Sequence, residues 1–523
     1  MARYLFPLAI CIVSFLCFGC SSSLAVAAQT VASVPSNRAT EGSAALPAPR
    51  DVLGFAPGDD RTIADWRQIT DYFARLDKAS NRVMVQTVGE TTLRRPLIVA
   101  FISAPENLRN LDKYREIQRR LADPRLVADE EERENLIRDG VTVVAISCSI
   151  HSTEIVASQM SMQLAYELGT ATDQVTQEIL QNTILILIPS ANPDGVDIVA
   201  NWYRKTLNTP YEGTEPPELY HHYAGHDNNR DWFMLNLKET QAITRLFWRE
   251  WFPQIVYDVH QQEQTGARIF VPPFYDPPNP HIAPLLLRGV GALGYKMADD
   301  LQAAGQHGVL TNAKYDTWWH GGFRTAPYYH NSIGVLSEAA SARLMTPVVV
   351  TRDALAKNSS RGLPSALQAA TNFPDPWAGG LWRPRDIMRM EMTAVRSLLS
   401  MAAKHRADYL RNFHELGRRA VSYPMSLERP MAYIIPAGQG SRDEAVAKMI
   451  AALVWQGVEV HRLDQELHIF PVGLTVDLSH SSQVREVPAG SYLILLAQPF
   501  RANVQALFEP QAYQPRRTAE GLA

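Results

Sequence analysis

His151, Glu154, His260 and Glu338 are the residues whose types and spacing could do chemistry. His151-Ser152-Thr153-Glu154 sets an imidazole and a carboxylate three residues apart, and on a turn entering a helix both can face one point. His260, in Asp258-Val259-His260, could close the set as a third ligand. Two histidines, one carboxylate and an open position form a common catalytic zinc arrangement. Glu338, an acid outside the ligand set, could then act as general base. The spacing alone is weak evidence. Among 14 histidines a second His-x-x-Glu occurs, His260-Gln261-Gln262-Glu263. Glu263 reads as an exposed loop residue, and His260 by itself would read as a core histidine.

Placement strengthens the signal. Strand-like runs occur at Val141–Ile146, Ile184–Ile188, Ile255–Val259 and Ile333–Leu336, each apolar almost throughout. Helical patterns lie between them, including Ile155–Leu168 and Leu237–Trp251. Apolar runs alternating with helices predict an α/β fold, a mixed, mostly parallel sheet covered by helices. Ligands in such sheets bind where strands end. Three of the four runs are followed at once by the residues named above. Upstream, Asp65–Leu76 has helical spacing, and Val83–Val88 and Leu97–Ile102 read as strands.

Composition excludes other classes. The 523 residues are 46% hydrophobic and 20% charged, a globular balance with a large core. A net charge of −4 gives no basic excess, so nucleic acid is not expected as a partner. There is no Gly-x-Ser-x-Gly and no P-loop. Gly289–Gly294 fits the dinucleotide fingerprint, but it sits inside a helical pattern with no strand before it.

Five motifs together resemble the zinc metallocarboxypeptidases of the carboxypeptidase A type. In order they are Ile150–Glu154, Asn192-Pro193-Asp194-Gly195, Asn228–Trp232, Asp258–His260 and Gly334–Glu338. The resemblance covers roughly residues 62 to 375. It implies one zinc ion per chain held by His151, Glu154 and His260, with Glu338 as the base for a zinc-activated water. It also implies that Asn229 and Arg230 hold the free C-terminal carboxylate of a peptide substrate, and guanidinium chemistry suits that task. Arg204 matches an arginine that stabilises the oxyanion. Tyr315 is the first choice for a mobile-loop tyrosine, with Tyr328 and Tyr329 as rivals. Phe323 or Arg324 would set an apolar or an acidic preference, and the sequence does not choose between them. The same site could act on peptidoglycan stem peptides or N-acyl amino acids. A non-catalytic binding protein of this fold is the reading from another class, and the intact ligands and base argue against it.

The ends set the compartment. Arg3, the apolar run Leu5–Phe18 and an Ala-x-Ala pattern read as a signal peptide over 1–28. The expected location is therefore exported, periplasmic or extracellular, with membrane attachment only if Cys20 is lipidated. Of the four cysteines only Cys148 lies outside that region, so no internal disulfide is expected. The remaining expected divisions are a linker at 29–61, the peptidase domain at 62–375 and a helical connector at 376–428. A small α/β module at 429–513 and a disordered tail at 514–523 complete the chain.

Overall fold

The fold was analysed in a computed structural model, which describes residues 46–220, 227–357, 360–423, 430–469 and 485–510 and two short strands, Arg517–Thr518 and Gly521–Leu522. The expected signal peptide, Cys20 and most of the expected tail lie outside the described residues. Within those residues no helix is long and apolar enough to cross a membrane.

Eight strands form the main sheet: β1 (Val83–Glu90), β2 (Pro96–Ile102), β3 (Thr142–Cys148), β4 (Thr183–Ile188), β5 (Ile255–Gln262), β6 (Ile269–Phe270), β7 (Val309–Leu310) and β8 (Ile333–Ala340). Their order is β1-β2-β4-β3-β5-β8-β6-β7. The four central strands β4, β3, β5 and β8 run parallel, while β1 and β2 add antiparallel strands at one side. Every residue of β3, β4, β5 and β8 is buried, because helices cover both faces. Val144, Ile146 and Cys148 point into one core layer with Trp66, Met160, Leu293 and Leu398. Val143 and Ala145 point into the other, with Leu121, Trp251 and Phe413. Each fully buried large apolar side chain contributes ~1.5–3 kcal/mol, so these layers carry most of the stability. Cys148 is buried and unpaired.

Local signals explain the flanking helices. The helix Trp66–Ala79 starts at a capping box between Asp65 and Gln68 and buries Trp66, Ile69, Tyr72, Phe73 and Leu76 on one face. Asn192 caps Pro193–Thr206 by accepting a hydrogen bond from Gly195 N at 3.1 Å. Gly289–Gly294 lies within the helix Pro284–Ala303, where a Cβ on Gly294 would sit 2.0 Å from Pro272 O. That glycine is needed for close packing, not for a nucleotide.

Three expectations shift. Residues 46–61 are not all linker: Pro49–Leu53 is a helix, and Leu46, Val52, Leu53 and Phe55 pack on the core. The expected connector contains Pro384–Lys404, whose Ile387, Val395, Leu398 and Leu399 are core residues, so that helix covers the sheet and does not bridge domains. From Leu363 to Trp382 the chain is irregular apart from a short strand at Gly380–Trp382, so the first residues of the expected helical connector are not helical.

The C-terminal residues form a three-stranded sheet, Ala432–Ile435, Tyr492–Leu495 and His461–Arg462, with helices Asp443–Trp455 and Arg501–Phe508. Leu453, Val458, Ile494, Leu496 and Val504 make its small core. This unit is anchored beside the start of β5 and β8. There the His330 ring stacks on Trp248 at 4.1 Å and meets Phe500 at 4.8 Å. His330 Nε2 lies 3.0 Å from Gln456 O, and Arg249 donates to Val454 O at 2.6 Å.

Candidate active site

At the carboxyl end of β3 the chain leaves the sheet through Ser149, which has a positive φ of 45°. A non-glycine residue there is strained, and the surroundings hold it. Ser149 Oγ donates to Glu154 O at 2.9 Å and accepts from Ser158 N at 3.1 Å. The resulting turn, closed by Glu154 N to His151 O at 3.0 Å, lifts His151 and Glu154 above the strand ends. His260 arrives from β5 and Glu338 from β8, where the two are direct register partners. Four separate positions in sequence are thereby brought to one end of the sheet.

His151 Nδ1 lies 2.9 Å from Glu154 Oε1, and His260 Nδ1 lies 2.8 Å from Glu154 Oε2. The ligand atoms of the three residues all fall within 4.8 Å of one another. The outer nitrogens face away: His151 Nε2 is 2.8 Å from Asp227 Oδ1, and His260 Nε2 is 2.6 Å from Asp258 Oδ2. Carboxylates on the outer nitrogens fix the ring orientation and leave the inner nitrogens free to bind a metal. Gln261 N also donates to Glu154 Oε2 at 3.0 Å.

The electrostatics favour a cation. Burial works against charging His151, yet Glu154 and the hydrogen bond to Asp227 lift its pKa to about 9. Burial likewise opposes charge on Glu154, but His260 and His151 bring its pKa down to about 2. A site that would hold protons this firmly also suits a divalent ion. The donor set, two imidazoles and one carboxylate, fits zinc.

Glu338 behaves differently. Burial raises its carboxyl, Glu154 adds to the rise, and His260 and Arg361 oppose it, giving a pKa of about 7. The Tyr315 hydroxyl donates to Glu338 Oε1 at 3.2 Å. Tyr328 and Tyr329 are used within the core, donating to Gly334 O and Trp318 O. Of the three tyrosines considered, the structure places Tyr315 at the acid.

Three other expected residues fare unevenly. Arg230 is half exposed, stacks on Trp319 at 5.6 Å and lies 3.6 Å from Asp227 Oδ2, so its guanidinium borders the cluster. Asn229 is buried, and its amide is already engaged. Its Oδ1 accepts from Phe323 N at 2.7 Å, and its Nδ2 lies 3.2 Å from both Asp258 Oδ2 and His260 Nε2. In this arrangement its amide braces Asp258 and His260. Arg204 is not brought to the cluster. It sits near the end of its helix, where Asp65 Oδ2 at 2.7 Å, Gln68 Oε1 at 2.6 Å and Ile63 O at 2.9 Å accept its hydrogen bonds. Glu263 is exposed.

Asp227, the outer partner of His151, was not singled out from sequence. Asp258 stands in the sequence only as the neighbour of His260 in its motif. A period-two reading would have found Asp258, since residues two apart on a strand share a face. Asp227 offered only its place beside Asn228-Asn229-Arg230.

Residues 69–253 match the family model described as zinc carboxypeptidase. No curated protein matches the chain. Solved structures similar to it include a carboxypeptidase A from Helicoverpa armigera, at 14% identity over 68% of this chain and 79% of that one, with a TM-score of 0.41. A metallo-carboxypeptidase from Pseudomonas aeruginosa shows 14% identity over 66% and 68%, with a TM-score of 0.40. One from Burkholderia cenocepacia shows 15% over 64% and 67%, with a TM-score of 0.37. The matched segment supplies His151, Glu154 and the Asp227–Arg230 turn, and β5 and β8 beyond it supply His260 and Glu338. Over residues 69–253 the chain is similar to the zinc carboxypeptidase family.

Proposed function

We propose that this protein is an exported zinc carboxypeptidase that removes residues from the free C-terminus of peptides. The observation that carries the reading is the convergence of His151, Glu154 and His260 on one point with Glu338 on the neighbouring strand. Zinc bound there would supply Lewis acidity to the scissile carbonyl and would acidify water. The protein's own groups do the rest. Asp227 and Asp258 hold the two imidazoles in register. Glu338, ionised above its raised pKa, takes a proton from the attacking water and delivers it to the leaving amine. The Tyr315 hydroxyl, 3.2 Å from that carboxyl, orients it. Arg230, half exposed and bonded only to the Asn229 carbonyl at 2.9 Å besides the longer contact to Asp227, keeps donors for the substrate's terminal carboxylate. Export rests on the N-terminal sequence alone, so cell-wall stem peptides and N-acyl amino acids belong in the same substrate screen.

The test is mass spectrometry of peptide digests, each peptide offered as the free acid and as its C-terminal amide. Stepwise loss of terminal residues from the free acids, abolished by a chelator and restored by zinc, is the expected result. Cleavage of both forms alike, or activity indifferent to chelation, would overturn the reading.

A further inference from the structure

Two arginines surround the tyrosine that touches Glu338, and neither makes a close ion pair with an acidic side chain among the described residues, although Arg361 is near enough to Glu338 to favour its charged form. Arg324 is buried, 5% exposed, with its guanidinium 4.8 Å from the Phe274 ring and 5.0 Å from the Tyr315 ring. Its hydrogen bonds go to neutral oxygens, Tyr328 Oη at 3.2 Å and the carbonyl of Asp316. Arg361 sits on the same ring, 5.0 Å from Tyr315 and 5.2 Å from Phe270. Its side chain makes no hydrogen bond to any described residue. Cation–π contacts offset part of the cost of removing these charges from water, yet a carboxylate would offset far more.

The placement is built into the fold. A Cβ on Gly334 would lie 1.9 Å from Arg324 O, so only glycine lets that backbone press against β8. Phe323, the neighbour that could have faced the same way, is buried on the other side against Trp232 at 4.6 Å and Phe247 at 5.9 Å. Arg361 has a positive φ of 54°, and its carbonyl accepts from Lys314 N at 2.9 Å, which ties its turn to the Tyr315 loop. Both cations are thus held against the Tyr315 ring by close contacts of the chain.

We infer that Arg361, with Arg324 behind it, forms a subsite for a side-chain carboxylate, so that the preferred substrates end in an acidic residue. This deepens the proposed function and rests on it for the reaction, though not for the binding. Arg230 is assigned the main-chain carboxylate. The second anion meets a planar guanidinium able to bind it through two hydrogen bonds.

The experiment is calorimetric titration of the zinc-loaded full chain with N-acetylglutamate and N-acetylglutamine. The second compound keeps the main-chain carboxylate and lacks only the side-chain charge. The expected result is at least about tenfold tighter binding of the acid, the scale of one charge-assisted hydrogen bond. In Arg361→Gln that ratio should collapse towards unity, and Arg361→Lys should restore part of it. Arg361 lies in a surface turn, so its variants can be checked for native thermal unfolding, whereas Arg324 is buried. Equal affinity for the two compounds in the wild type would overturn the subsite, as would an unchanged ratio in Arg361→Gln. Parallel kinetics on peptides ending in Glu, Gln, Lys and Leu separate the two claims. Zinc-dependent turnover without acid preference refutes the subsite alone. Absence of any turnover refutes the proposed function, and the titration still decides the subsite.

Discussion

Asp227 and Asp258 show how much of this site lies in residues that would never touch a metal. Each holds the outer nitrogen of one imidazole, and Asn229 braces Asp258 from the side. Asp227→Asn should lower zinc affinity by ~10–100-fold, measured by chelator competition, with the ligands themselves untouched. An unchanged affinity would remove Asp227 from the account. Glu338, the proposed base, would set the pH dependence. As the base it works ionised, so kcat/KM should rise with pH along an acid limb. Burial puts that carboxyl near pH 7 without metal, and a nearby dication would favour the charged form and move the limb down. A profile flat between about pH 5 and 8 would contradict the assignment. Arg204 makes the opposite case. Its hydrogen bonds all serve the start of the helix Trp66–Ala79, and it is partly exposed. Arg204→Ala should cost less than about 1 kcal/mol of stability, read by denaturant unfolding, and leave kcat intact.

The helix Pro384–Lys404 illustrates what an element can hide. Its Glu391 is fully buried, and neither carboxylate oxygen has a hydrogen-bond partner. Burial, with Glu154 adding to it, pushes the Glu391 pKa well above the usual range. The folded state therefore binds a proton that the unfolded chain releases above about pH 4–5. In that window the folded form carries more protons, so stability falls as pH rises, with a slope of up to ~1.4 kcal/mol per pH unit. Glu391→Gln should leave thermal stability near pH 4 little changed and raise it at pH 8, seen by melting at both values. A variant no more stable at pH 8 than the wild type would mean that the charge is compensated. The sequence placed this helix correctly but read it as a connector. Its apolar residues have the spacing of any amphipathic helix, and spacing does not name the surface it packs against.

At the scale of the whole molecule, β3, β4, β5 and β8 were legible because strands buried on both faces must be apolar throughout, and such runs are rare outside sheets. The candidate ligand cluster was legible because its residues follow those runs. The partners of Asn229 and Arg204 were not legible for one reason: a motif fixes a backbone position, while the side chain goes to whatever partners the tertiary structure offers. The C-terminal unit was recognised as a small α/β module, but its attachment was not, since the stack of Trp248, His330 and Phe500 joins residues far apart in sequence. With that interface buried, the main α/β unit and the module should unfold together, giving one calorimetric transition. Two well-separated transitions would show that they are independent. The central claim, that three ligands hold a zinc ion while Glu338 moves the proton, is tested most directly by Glu338→Gln. Metal content and peptide turnover would be measured on the same preparation. The account predicts one zinc per chain, as in the wild type, with kcat/KM lowered by ~10²–10⁴-fold. Substantial turnover in a zinc-loaded variant would contradict it.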